Sequence, residues 1–200
     1  MLNLALHRSD VFAVVHSQQP WVMAPGRVAE DIALQPSIRQ RASSAISQLA
    51  SLSPLQASDG YRALLNTVNR RSPLRLAIAY GMATATASPG DVPHLEYPYL
   101  DRDTPAPEAV WQRWETIAGN WDAKIADYLA GPGRLKAIEI SRDKDWVFKV
   151  ENDAIDTLVQ QLSAAGVPVE LKTTDRYGSA LVVSLENDVL PFLSQNLTSE

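Results

Sequence analysis

Glu170-Leu171-Lys172 is the triplet whose residue types come closest to a reaction. Residues two apart on a strand share a face, so a carboxylate able to hold Mg²⁺ would stand beside a lysine, as in some metal-dependent nucleases. Such a site also needs an acid on the neighbouring strand. The adjacent run, 179–185, has none before Glu186, and the nearest upstream acids, Asp153 and Asp156, fall at a helix start. The triplet is therefore read as a solvated face. Asp143-Lys144-Asp145 and Asp101-Arg102-Asp103 bring carboxylates together as acid–base pairs or cation sites require. Each lies in a turn or a proline-rich loop, where charge needs no further explanation.

Gly131-Pro132-Gly133 has the composition of a phosphate loop but follows a helix and precedes a strand, the reverse of the order such loops need. It reads as a helix stop. No G-x-S-x-G occurs, and His16 near Asp10 in a predicted hairpin is a coincidence of sequence. The chain has no cysteine, which removes thiolate catalysis, Cys-bound zinc and iron–sulfur chemistry. His7, His16 and His94 are too scattered to suggest a preformed metal triad. No catalytic residue, metal or cofactor is expected.

The richest non-catalytic pattern is basic. Residues 1–80 carry eight arginines and no lysine against four acids, while the remaining 120 carry ten basic and nineteen acidic groups. The two parts either complement each other or present the arginines to a polyanion. Arg62, Asn66, Asn69, Arg70, Arg71 and Arg75 lie on and just beyond a predicted second helix, reached from the first by a short Ser-Pro connection. That order is compatible with a helix-turn-helix or a phosphate-binding face. The dipole alone also favours arginines at a helix C-terminus. Trp21, near a loop, suits either an interface anchor or the core.

The elements that must position these residues follow from hydrophobic period. Runs 11–15 and 21–23, separated by Gln18-Gln19-Pro20, predict a β-hairpin. Helical stripes predict helices over 37–52, stopped at Ser53-Pro54, and over 58–71 with Ser58 as N-cap. Residues 74–87 are ambiguous: large or branched residues alternate with mostly alanine, a strand period, yet Ser72-Pro73 and five alanines favour a helix, the reading preferred here. Trp111, Trp114, Ala118, Trp121, Ile125 and Tyr128 fall on one face of a single long helix over 105–130. Beyond it, strands 135–141 and 145–151, a helix from Asn152, strands 167–174 and 179–186 and a final helix spell ββαββα, an antiparallel two-layer sandwich.

The expected class is α+β: a mostly helical part with a hairpin (1–88), a proline-rich connector (89–104), and the long tryptophan-lined helix plus sandwich (105–200), the helix spanning both parts. With 46% hydrophobic and 20% charged residues the chain has the balance of a globular protein. No membrane-length apolar stretch or signal peptide is read, so a soluble, cytoplasmic protein is expected. The functional expectation is a non-catalytic interaction or adaptor protein, a subunit of a larger assembly with protein partners. A nucleic-acid-associated regulator comes second and an enzyme of unrecognised type third.

Overall fold

The computed structural model describes residues 2–50, 52, 54–68, 72–84, 95–144, 149–174 and 185–197. In chain order the elements are α1 (Leu2–His7), β1 (Val14–Gln18), 3₁₀ turns at Val28–Glu30 and Ile32–Leu34, α2 (Pro36–Ala50), α3 (Pro54–Thr67) and α4 (Pro73–Thr84). Then come α5 (Glu108–Ala118), α6 (Trp121–Ala130), β2 (Ala137–Asp143), α7 (Lys149–Ala164), β3 (Val169–Thr174), a π-helical turn (Leu185–Val189) and α8 (Leu190–Asn196). The protein is thus a mixture of helix and sheet. It forms two compact units, Met1–Ala24 with Asn120–Glu200, and Pro25–Gly119, so the second is inserted in the sequence of the first.

In the first unit the described strands pair in the order β1-β2-β3, all parallel, with Val15 opposite Ile138 and Ile140 opposite Leu171. Alternation puts Val15, Ile138, Ile140, Val169 and Leu171 on one face. That face is buried with Leu2 and Leu6 of α1, Trp121, Ile125 and Tyr128 of α6, and Ile155, Leu158 and Leu162 of α7. A parallel pair needs a crossover, and α7 supplies it between β2 and β3.

This corrects the expected hairpins. Residues 11–15 and 21–23 do not pair: β1 reaches across to β2, and Trp21 to Met23 have no strand structure. An isolated two-stranded hairpin is marginal in water, whereas a parallel partner 123 residues on buries Val15. Residues 149–151, expected in a strand, begin α7, and Leu185 and Glu186 belong to the π-helical turn. The rest of the strands expected over 145–151 and 179–186, residues 145–148 and 179–184, lies outside the described residues. The described pairs are parallel, not the antiparallel ladder of a ββαββα sandwich.

The single helix over 105–130 is also corrected. It is two helices, because Gly119 turns extended (φ −114°, ψ −152°) and Asn120 adopts the left-handed conformation (φ 57°, ψ 37°). Asparagine takes left-handed backbone at lower cost than most other side chains, and Gly119 N–H still closes α5 by donating to Glu115 O. The Gly131 stop is present: its N–H donates to Asp127 O and Tyr128 O after α6 ends at Ala130.

The second unit is helical. α2 appears where periodicity places it and α4 where the Ser72-Pro73 start and the alanines place it against a strand-like period, and Ser72 Oγ accepts from Leu74 N–H at 3.3 Å at the start of α4. α3 begins at Pro54 instead of being capped by Ser58, since a proline in the first turn gives up only an N–H that has no helical partner. Trp114 is fully buried, with Tyr97 and Tyr80 edge-on at 5.8 and 6.1 Å, and its Nε1–H donates to Glu96 O at 3.1 Å. Tyr97, in the segment expected as connector, is buried in this unit and donates its hydroxyl to Ala33 O at 2.6 Å; burial pushes its phenol pKa up. No described helix is long and apolar enough to cross a membrane.

Candidate functional site

The face of the sheet opposite the apolar core is polar. Register places His16 beside Glu139, Glu139 beside Glu170, and Ser141 beside Lys172, so these five side chains share one face. α8 lies beside β1, with the buried Phe192 ring 6.4 Å from the His16 imidazole. A cleft of roughly 670 Å³ opens here, lined by Lys136, Glu139, Glu170, Lys172, Asp188 and Phe192 among others.

His16 Nε2 lies 3.2 Å from Glu139 Oε1, with both side chains less than 10% exposed (7% and 6%). Burial pushes the imidazole below its ordinary value, Asp188 partly opposing and Lys172 adding to it. Burial also pushes the Glu139 carboxyl up, which the Lys172 charge partly offsets and the Glu170 and Asp188 charges reinforce. Each group is thus biased toward its neutral form. Ser141 Oγ is 3.4 Å from the same Nε2. A serine–histidine–carboxylate relay needs the hydroxyl on one ring nitrogen and the acid on the other. Here both meet Nε2, so the trio cannot relay a proton.

The nuclease-like triplet is only half assembled. Glu170 and Lys172 share a face as alternation predicts, and the neighbouring acid absent from 179–185 stands on β2 instead, as Glu139. But Glu139 faces His16, and Lys172 Nζ is bound to Asp188 at 2.5 Å, which holds that ammonium pKa up. Among the described residues no group of three or more His, Asp or Glu side chains is placed to hold a metal ion.

The carboxyl ends of β1 and β2, where parallel sheets usually take ligands, are tied to each other. Gln19 Oε1 accepts from Asp143 N–H at 3.1 Å, and Asn152 Nδ2 donates to Asp143 O at 3.1 Å. Arg142 reaches Asp156 at 2.5 Å. Asp143 is therefore part of a strand-end brace. Asp101 Oδ1 likewise accepts the N–H groups of Asp103 and Thr104, a loop turn that lowers its pKa.

Of the residues expected on a nucleic-acid face, Arg62 and Asn66 are exposed on α3. Arg75 Nε donates to Val68 O at 3.0 Å, closing the end of α3, and Asn69, Arg70 and Arg71 lie outside the described residues. Other arginines of that half have structural partners. Arg39 stacks 3.7 Å from the Tyr99 ring centroid and donates to Leu34 O, Arg27 pairs with Glu30, and Arg8 pairs with Asp10. The Asp10 near His16 in sequence thus serves Arg8. Trp21 is half-buried. The His16–Glu139 pair escaped sequence reasoning, although a charged residue between Ile138 and Ile140 was a signal for it. No family model matches this sequence, and the search of curated proteins gives no match.

Proposed function

We propose that this chain is a non-catalytic protein-interaction or adaptor protein, a subunit of a larger assembly. The observation that carries the reading is the outer side of α8. Leu190 and Leu197 are 50% and 54% exposed, Leu193 between them is half-buried, and their spacing of three and four puts all three on one face. The helix spends Phe192 on its own unit and leaves a leucine stripe outward, the pattern by which amphipathic helices dock. The closed geometry around His16 Nε2 and the structural use of Arg8, Arg27, Arg39 and Arg75 favour this over catalysis or polyanion binding.

The test is capture from native lysate, with and without nuclease, by the wild-type chain and by a Leu190→Glu, Leu197→Glu variant. Partners that persist through nuclease and are lost with the variant support the proposal. Capture abolished by nuclease and unchanged by the leucine substitutions would move the function to nucleic acid, with Arg62 and Asn66 the first contacts to remove.

A further inference from the structure

The cleft of roughly 670 Å³ over the polar face of the sheet carries a pair of acids that the described chain does not neutralise. Register sets Glu139 of β2 directly opposite Glu170 of β3, and both line the cleft. Like charges opposed across two strands destabilise a sheet. Among the described residues no lysine or arginine forms an ion pair with either acid: Lys172 shares their face but is bound to Asp188, and Lys136 is exposed just before β2. Glu139 is 5% exposed, yet its Oε1 accepts no hydrogen bond among the described residues. His16 Nε2 lies 3.2 Å from that oxygen without hydrogen-bonding to it, so no ring N–H is aimed at it. Buried carboxyl oxygens are almost always hydrogen-bonded, and one left without a donor in the lining of a cleft points to a donor supplied from outside. We propose that this cleft binds a small organic cation, a primary ammonium on an apolar body, with its head between Glu139 and Glu170.

An ammonium carries several N–H donors and a full positive charge. One donor satisfies Glu139 Oε1, a second reaches Glu170, and the charge relieves the repulsion between the two carboxylates. Hydrogen bonds between ionised groups are the stronger kind, the more so away from bulk water. A divalent metal needs more ligands than this pair supplies, and among the described residues no group of three His, Asp or Glu is placed to hold one. Pro191 and Phe192 of α8 also line the cleft and offer a wall to the apolar body, and the volume is ordinary for a small-molecule site. The acid is moreover retained against stability. Burial pushes the Glu139 carboxyl up, Lys172 partly opposing and the Glu170 and Asp188 charges adding to it, so an ionised Glu139 weakens the fold at pH 7. Groups kept at such a cost are typical of sites that serve a ligand.

The experiment titrates the whole chain at pH 8 with 2-phenylethylamine, an alkylamine that like lysine is still protonated there, and follows binding by calorimetry and amide NMR shifts. Its neutral and anionic counterparts, 2-phenylethanol and 3-phenylpropanoate, are titrated alongside. The amine is expected to saturate and to bind at least about tenfold more tightly than either, with shifts concentrated at residues 136–139, 168–172 and 187–196. Glu139→Gln should weaken the amine at least about tenfold, and Glu170→Gln, an exposed acid, by less. Glu108→Gln, an exposed acid of the other unit, should leave it unchanged. Removing the buried charge of Glu139 is expected to stabilise the fold at pH 7, so a thermal melt of Glu139→Gln separates lost binding from lost structure. Failure of the amine to saturate overturns the proposal. So does equal affinity for the alcohol, or an affinity that Glu139→Gln leaves intact.

Discussion

Trp114 and Trp121 stand seven residues apart, two turns on an unbroken helix, yet each is buried in the core of a different compact unit. Trp114 meets Tyr97 and Tyr80 edge-on, and Trp121 belongs to the cluster with Ile125, Ile138 and Leu158. Truncating either to alanine should cost roughly 3–5 kcal/mol. Hydrogen exchange should show Trp114→Ala weakening amides of residues 25–119 first and Trp121→Ala those of residues 120–174. A melt of Trp121→Ala within a degree or two of wild type would mean that the ring is not a core group.

Asn120, between α5 and α6, has a φ of 57°, left-handed backbone through which an α-helix does not continue. Asn120→Gly should be tolerated, since glycine reaches that conformation without penalty, whereas Asn120→Val should cost about 1–2 kcal/mol. Urea titration of the pair provides the comparison. Equal midpoints would remove the argument that left-handed backbone is needed here.

Gly133 is fixed by the approach of another chain segment. A Cβ there would sit 2.3 Å from Ser9 O and 2.7 Å from Asp10 N, all backbone atoms, so one segment would have to move. Gly133→Ala should destabilise by about 1–3 kcal/mol. Gly131→Ala, whose nearest contact would be 3.3 Å, should cost less, and thermal melts of the two variants check the order.

The His16–Glu139 pair predicts how stability follows pH. An imidazole held low in the folded state takes its proton more readily when unfolded, so its contribution is present above about pH 6.5 and drains away as pH falls. Glu139 runs the other way: a carboxyl held high contributes fully below about pH 4.5 and loses that contribution as pH rises. His16→Gln should therefore flatten the loss of stability below pH 6.5. Glu139→Gln should raise stability at pH 7 relative to wild type. Denaturant titrations at pH 5, 6 and 7 measure both, and an unchanged acid slope in His16→Gln would show that another group sets it.

Local chemistry in the sequence already determined much of the helical part. The stripes of α2 and α7, the Ser72-Pro73 start of α4 and the Gly131 stop of α6 depend on residues within a turn or two of one another. The alternation that placed Ile138 and Ile140 together, and Glu170 with Lys172, was legible for the same reason. Strand partners were not. Period two says which residues share a face but is silent on whether Val14–Gln18 pairs with its nearest apolar neighbour or with Ala137–Asp143 far along the chain. Burial of Val15 against Ile138 and the helices decided that, and it also created the candidate site, because only the parallel register sets His16 beside Glu139. The tryptophan face was read correctly as buried at Trp114 and Trp121 but wrongly as one helix. Gly119 and Asn120 fit a continuous periodicity, and only the demand of two separate cores turns them into a break.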